Sequence, residues 1–214
     1  MTLPIIILGS GGHAKVVIDV LRLQGREVIG LTTQDRAMFG HSVLGCRIIG
    51  DDDALAGHAP AQVRLVNAIG SVEMMEKRKQ LFEKFKARGY VFEQAIHPSA
   101  VIARDAVLGE GAQVMAGAVV QPGARIGDNT IINTRASIDH DCVIGCHVHI
   151  SPGCTLSGNV TVGDETHIGA GATVIQGRQI GCGCLIAAGA VVVRDIDDGE
   201  RVAGVPARKM DERA

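Results

Sequence analysis

Aliphatic residues return at every sixth position through the second half of the chain. Stepping by six from Ile96, through Ile102, Leu108 and Val114, to Ile186 and Val192 gives seventeen positions, and all of them carry Val, Ile or Leu. A column four positions further on, from Ala100 to Ala190, is small nearly throughout and puts Cys142, Cys154 and Cys184 inside the fold. Arg178 interrupts that column and is expected at a distorted corner. A longer period overlies the first: Gly109, Gly127, Gly145, Gly163 and Gly181 recur at every third hexad. Such self-similarity marks a solenoid in which each repeat is buried by its neighbours. One coil of three hexads then holds three short strands and three turns, so coils stack as a triangular prism at about 4.8 Å per coil. The recurring glycines are assigned to its tight corners.

The first ninety residues follow different periods. Pro4 to Leu8 reads as a strand, and Gly9-Ser10-Gly11-Gly12-His13-Ala14 leads into a helix with Val16, Val17, Val20 and Leu21 on one face. Gly25 suits the end of that helix, and Glu27 to Leu31 is a second strand, which completes a βαβ unit. Val63 to Ile69 reads as another strand. The helix after it, Val72 to Arg88, is expected to bury Met74, Met75, Leu81, Phe82 and Phe85 and to turn its lysines and arginines to solvent.

Composition narrows the picture. Aromatic residues make up 2% of the chain against 46% hydrophobic overall, so the interior is filled by Val, Ile, Leu and Ala, as a narrow prism requires. A net charge of −2 gives no electrostatic case for nucleic acid or for a membrane surface. The apolar runs are too short to span a bilayer, and Met1-Thr-Leu-Pro has no signal-peptide pattern, so a cytoplasmic protein is expected. The six cysteines contain no Cys-x-x-Cys pair, which argues against a zinc ribbon, and a cytosolic setting argues against a disulfide framework.

Gly9-x-Gly11-x-x-Ala14 between a strand and a helix fits a phosphate-binding glycine turn. The acidic residue expected about 20 positions later, which would hold a dinucleotide ribose, is absent, for the strand runs into Leu31-Thr32-Thr33. A nucleoside diphosphate therefore fits better than a dinucleotide.

The hexad pattern resembles the hexapeptide-repeat acyltransferases, and that resemblance, not the repeat, supplies a left-handed coil. Further motifs narrow it: Gly50-Asp51-Asp52, Asn67-Ala68-Ile69-Gly70, Ala95-Ile96-His97-Pro98-Ser99-Ala100, Ile132-Asn133-Thr134, Asp139-His140-Asp141-Cys142 and Gly204-Val205-Pro206-Ala207. Together with the glycine turn they resemble the bacterial sugar-nucleotide N-acetyltransferases of the bacillosamine and perosamine type, with sialic acid O-acetyltransferases as relatives. The resemblance implies an α/β N-terminal Rossmann-like βαβ domain at 1–92, a left-handed parallel β-helix at 93–196 and a tail at 197–214 near the CoA groove. It also implies a homotrimer that takes acetyl-CoA as co-substrate and a nucleotide-linked aminosugar as acceptor, with no metal.

Residue by residue, the resemblance makes His140 the catalytic base with Asp141 as its acidic neighbour. Asn133 matches a position near the sugar, His149 one near the thioester, and Gly158, Ala170 and Ala188 the CoA groove. Gly11, Gly12 and His13 would contact the diphosphate, and Ile69 and Gly70 the base. Thr32 and Thr33 stand where relatives commonly carry an aspartate that helps to hold the nucleotide. The chemistry agrees with a histidine base: an aminosugar is protonated near neutral pH, and imidazole titrates in the range needed to free its lone pair. His140 is the third residue of its hexad, a turn position, which points it outward; Asp139 competes with Asp141 as its partner. His149 and His167, three hexads apart, share a column. The main reading is acetyl transfer to a 4-amino group, and the alternative is O-acetylation of a sugar or sialic acid. A trimeric β-helix metal lyase of the carbonic anhydrase kind would need three histidines converging on zinc, and the histidines at 140, 147, 149 and 167 lack that spacing. A non-catalytic sugar-nucleotide binder is the remaining class.

Overall fold

The computed structural model describes residues 2–70 and 75–210. The chain divides into two compact units, residues 1–98 and 99–214.

In the first unit, β1 (Ile5–Leu8) leads through α1 (Gly12–Leu23) to β2 (Val28–Thr32). A hairpin of β3 (Ser42–Val43) and β4 (Cys46–Gly50) follows, then β5 (Arg64–Asn67) and α2 (Met75–Ala87). The sheet order is β3-β4-β2-β1-β5, parallel except for the hairpin. β1 is completely buried, as a parallel strand covered on both faces should be. α1 buries Ala14, Val17, Ile18 and Leu21, spaced i, i+3, i+4 and i+7, together with Val20. Val16 was expected on that face; it falls beside the stripe and is 41% exposed. The helix closes with paired bonds from the Gly25 N–H to the Arg22 carbonyl and from the Arg26 N–H to the Leu21 carbonyl. In α2, Phe82 and Phe85 are buried and Leu81 is half-buried; Met74 lies outside the described residues, as does the side chain of Met75. The solvated face expected for the cations of α2 needs a correction at Arg78. It is 2% exposed and donates to the carbonyls of Asn67 (2.7 Å) and Ile69 (2.8 Å), and burial lowers its pKa to about 9.

The second unit is the prism. Two-residue strands form three walls, each strand pairing in parallel with its counterpart one coil, or three hexads, away. The first wall runs from Val101–Ile102 through Ser137–Ile138 to Val191–Val192, and the second from Val107–Leu108 through Val143–Ile144 to Gln179–Ile180. The third contains Gln113–Val114, His149–Ile150, His167–Ile168 and Leu185–Ile186. In each strand from Val114 onward the second residue points into the core and is buried. The small column packs between the aliphatic ladders. Five of its members also donate inward bonds that cap corner carbonyls of the next coil, so packing is not their whole role. Thr130 and Thr166 reach Gly145 and Gly181 (2.8 and 2.7 Å), while Cys142, Cys154 and Cys184 reach Ser157, Gly169 and Asp197 (3.2, 3.0 and 3.0 Å).

The glycines that recur once per coil sit at a corner, as expected, but they do not supply its left-handed conformation. That conformation recurs at every sixth position from 111 to 189, where eight positions are glycine and six are Asn129, Arg135, Asp141, His147, Asn159 and Glu165. Gly109, Gly127, Gly145, Gly163 and Gly181 are glycine because the next coil leaves no room for a Cβ. At Gly127 a Cβ would stand 2.6 Å from the Gly145 carbonyl carbon and 2.7 Å from the Cys146 nitrogen. Asp128, Asp164 and Asp198 use the same corner, each accepting an N–H from the preceding coil at 2.7 Å. Gly127→Ala is therefore expected to destabilise the prism by about 3 kcal/mol, at the upper end for overpacking, because the clash is with backbone. An unchanged denaturation midpoint would show that the coils can spread.

Arg178 leaves the interior: it is half-buried, with Nη1 3.5 Å from Asp195. Beyond it the repeat contracts, for Leu185 pairs with Arg201 where a full coil would bring it to Ala203. Within the segment read as a tail, Arg201–Ala203 thus continues the third wall and Arg208–Lys209 returns antiparallel to it.

Candidate active site

β1 pairs with β2 on one side and β5 on the other, so the chain reverses direction across the sheet at β1. Ligands of open α/β sheets collect beyond the strand ends at such a switch point. A cavity of about 690 Å³ lies there, and the expected residues Gly11, Gly12, His13, Thr32, Thr33, Ile69 and Gly70 all line it. Gly9 turns the chain at φ +107°, where a Cβ would press against the Ala68 backbone at 3.2 Å. Gly11 and Gly12 face open space, and α1 begins at Gly11 without a side-chain cap, which leaves first-turn N–H groups for an anion.

Sequence reading gave no site role to several residues of this cavity: Asp35, Asp52 (quoted only as part of a motif), Lys77, Gln80 and Lys84. The Thr32 hydroxyl donates to Asp52 Oδ1 (3.2 Å), and Lys84 Nζ stands 3.6 Å from Asp52 Oδ2. A carboxylate is thus present at this edge after all, carried in by the turn after β4. Arg78 clamps the Asn67–Ile69 strand end that lines the cavity, and the Asn67 side chain returns a bond to the Arg78 carbonyl (2.9 Å).

In the prism, His140 sits on the corner between the first and second walls with its side chain 52% exposed. Its Nδ1 is 2.9 Å from Asp141 Oδ2, while Asp139 accepts the His140 backbone N–H at 2.7 Å. Asp141 is therefore the ring's partner. A carboxylate only accepts, so Nδ1 carries the proton and Nε2 offers its lone pair outward. The bond to Asp141, supported by the charge of Asp139, raises the His140 pKa above its usual 6.5. Gly158, one coil on, is the floor beneath the ring: a Cβ there would come within 2.5 Å of His140 Cε1. Among the described residues nothing accepts the Gly158 N–H.

His149 lies on the third wall, 7% exposed, with its ring 5.0 Å from that of His167 and at 88° to it. Asn133 orients it. The Thr134 N–H donates to Asn133 Oδ1 (2.7 Å), so the amide nitrogen faces His149 Nε2 (3.0 Å) and the imidazole proton sits on Nδ1. Burial lowers the pKa of His167. Ala170 and Ala188 stack on the corner between the third and first walls, one coil apart but five and eight hexads from His140. One prism therefore unites His140 with Asp141 and Gly158, and Asn133 with His149. It keeps the His140 group apart from the other, which shares the third wall and its corner with the Ala170–Ala188 column. Among the described residues no cluster of three or more His, Cys, Asp or Glu side chains could hold a metal.

Residues 4–85 match the PglD N-terminal domain, and residues 105–140 and 141–176 match the bacterial transferase hexapeptide of six repeats. The acetyltransferase domain of PglB from Neisseria gonorrhoeae is 39% identical, covers 98% of this chain and 100% of its own, and superposes with a TM-score of 0.90. The chain belongs to the hexapeptide-repeat acetyltransferases with a PglD-type N-terminal domain. PerB from Caulobacter crescentus, solved in complex with CoA and GDP-perosamine, is 42% identical with 99% of each chain covered and a TM-score of 0.91. WeeI from Acinetobacter baumannii shares the fold of these acetyltransferases at 24% identity (98% of this chain and 100% of that one, TM-score 0.82). No curated protein matches. Among the described residues no helix is long and apolar enough to cross a membrane.

Proposed function

We propose that the protein transfers the acetyl group of acetyl-CoA to the 4-amino group of a nucleotide-linked aminosugar. The observation that carries this reading is the His140–Asp141 pair, which leaves an unprotonated Nε2 exposed above the Gly158 backbone. An ammonium acceptor first loses one proton to solvent; His140 then takes a proton from the attacking amine, whose nitrogen forms a bond to the thioester carbonyl carbon. The oxyanion that develops meets the N–H of Gly158. As the C–S bond breaks, the imidazolium returns its proton to the CoA sulfur, and an amide and a free thiol leave. No covalent enzyme intermediate is needed. The glycine turn and the α1 N-terminus hold the diphosphate, and Ile69 and Gly70 flank the base.

The reading requires a cyclic homotrimer. His149 and the Ala170–Ala188 column lie a wall's width, roughly 20 Å at one hexad per side, from His140 of the same chain. A neighbouring prism turned about a parallel threefold axis brings its own third wall and that corner to the His140 corner. Small side chains at Ala170 and Ala188 then leave space for the pantetheine arm.

Release of CoA thiol should be followed with acetyl-CoA and UDP-, GDP- and dTDP-linked 4-aminosugars, alongside hydroxyl acceptors. Turnover with at least one aminosugar is expected. Thiol release with the hydroxyl acceptors alone would move the protein to O-acetylation, and none at all would remove the enzymatic reading.

A further inference from the structure

The cavity beyond β1 contains a buried acceptor to which the proposed function gives no task. Among the described residues two carboxylates line it, Asp35 and Asp52, and both belong to the first unit. Asp35 is exposed and caps the turn that follows it, accepting the Ala37 N–H at 3.0 Å. Asp52 opens the short helical turn after β4, and its side chain is only 13% exposed. Capping of that turn falls to Asp51, whose Oδ1 takes the Asp53 N–H at 3.0 Å. The Asp52 carboxylate is thus left to the cavity. Thr32 donates to one of its oxygens and Lys84 balances its charge beside the other. A carboxylate has about two lone-pair directions per oxygen, so both oxygens keep acceptor capacity. A carboxylate withdrawn this far from water is stabilised when a ligand answers that capacity with donors.

The place of Asp52 in the cavity names the donor. The Gly9 N–H donates to the Thr32 carbonyl at 3.1 Å, which ties the glycine turn to the end of β2, and the Thr32 side chain in turn holds Asp52. With a phosphate at the turn, the group bonded to that phosphate is the ribose. The end of β2 is the edge at which open α/β sheets set an acid against the ribose hydroxyls. The threonines that stand there have their hydroxyls engaged, Thr32 with Asp52 and Thr33 with the Asp35 N–H (3.3 Å). Asp52 brings an acid to the same edge from a different strand. Resting on the proposed function, which puts the diphosphate at the glycine turn, we infer that Asp52 accepts the ribose hydroxyls of the nucleotide. The acceptor sugar is then carried on a ribonucleotide and not on a 2′-deoxyribonucleotide. A carboxylate cannot donate, so a carrier without the 2′-hydroxyl leaves one of its lone pairs unanswered.

Calorimetric titration of the full-length protein with UDP, GDP and their 2′-deoxy forms tests this without turnover. Whichever ribonucleotide binds is expected to exceed its 2′-deoxy form in affinity roughly 10- to 100-fold, as for a hydrogen bond to a charged group. Asp52→Ala should weaken binding of the ribonucleotide and abolish that preference, because the 2′-hydroxyl then has no carboxylate to meet. Thr32→Val, which removes the hydroxyl that orients Asp52, should reduce the preference in part. A role in the fold alone would weaken both forms alike and keep their ratio. A ratio unchanged in Asp52→Ala therefore overturns the inference, even where both forms bind more weakly. Equal affinity of the wild type for a ribonucleotide and its 2′-deoxy form overturns it without any variant, and leaves acetyl transfer to a nucleotide-linked aminosugar standing. Binding of neither UDP nor GDP, nor of their 2′-deoxy forms, would remove the nucleotide site itself and the inference with it.

Discussion

His140→Asn is expected to lower kcat by roughly 10²- to 10⁴-fold, the range for loss of a positioned general base, with the fold and CoA binding intact. The ring is half exposed and supports no core contact, so its replacement leaves the coil as it is. The pH dependence is the more specific test. His140 works in its neutral form and its pKa lies above 6.5, so turnover should rise with pH through a limb centred above that value. The bond to Asp141 is the largest cause of the shift. Asp141→Asn keeps an acceptor for Nδ1–H and keeps a residue that tolerates φ +59°, but it removes the charge. The limb should move to lower pH, and the plateau should fall because the base is weaker. Acetyl transfer assayed across the acidic and mildly alkaline range decides the matter. A limb that stays in place in Asp141→Asn would mean that Asp141 does not tune the base.

The period of six was legible because a prism wall has no alternative to an aliphatic residue facing inward every hexad. What glycine meant was not. Glycine answers two needs, a positive φ and the absence of a Cβ, and these look alike in one sequence. At Gly127 the need is space, whereas the corner conformation falls two positions later, at Asn129. Buried Arg78 was illegible for another reason: its partners are the carbonyls of Asn67 and Ile69, and carbonyls leave no trace in residue type. Asp52 and Lys84 stand far apart in the sequence and meet only because the turn after β4 and the flank of α2 converge on the end of β2. The separation of His140 from Ala170 could have been read by arithmetic, since five hexads do not make a whole number of three-hexad coils. Once the wall order is known, that remainder is what calls for a second chain in the site.

Gly158→Ala is expected to reduce turnover at least about 100-fold without loosening the prism. The backbone of Gly158 lies outside the left-handed region, so alanine can adopt it without strain. The new methyl, however, would occupy the space of the imidazole, with Cε1 2.5 Å and Cδ2 3.0 Å from it. His140 can escape only outward, into solvent, and in doing so it leaves Asp141 and the position from which Nε2 meets the amine. Misplacement by about 1 Å suffices for a loss of that order. The displacement should also be visible without substrate: NMR titration should show the His140 pKa falling back toward 6.5 as the Asp141 bond is lost. Coupled loss of rate and pKa shift, at an unchanged melting temperature, would establish that the floor of this corner holds the base in place. Activity within twofold of wild type would mean that His140 does not act from where the fold puts it.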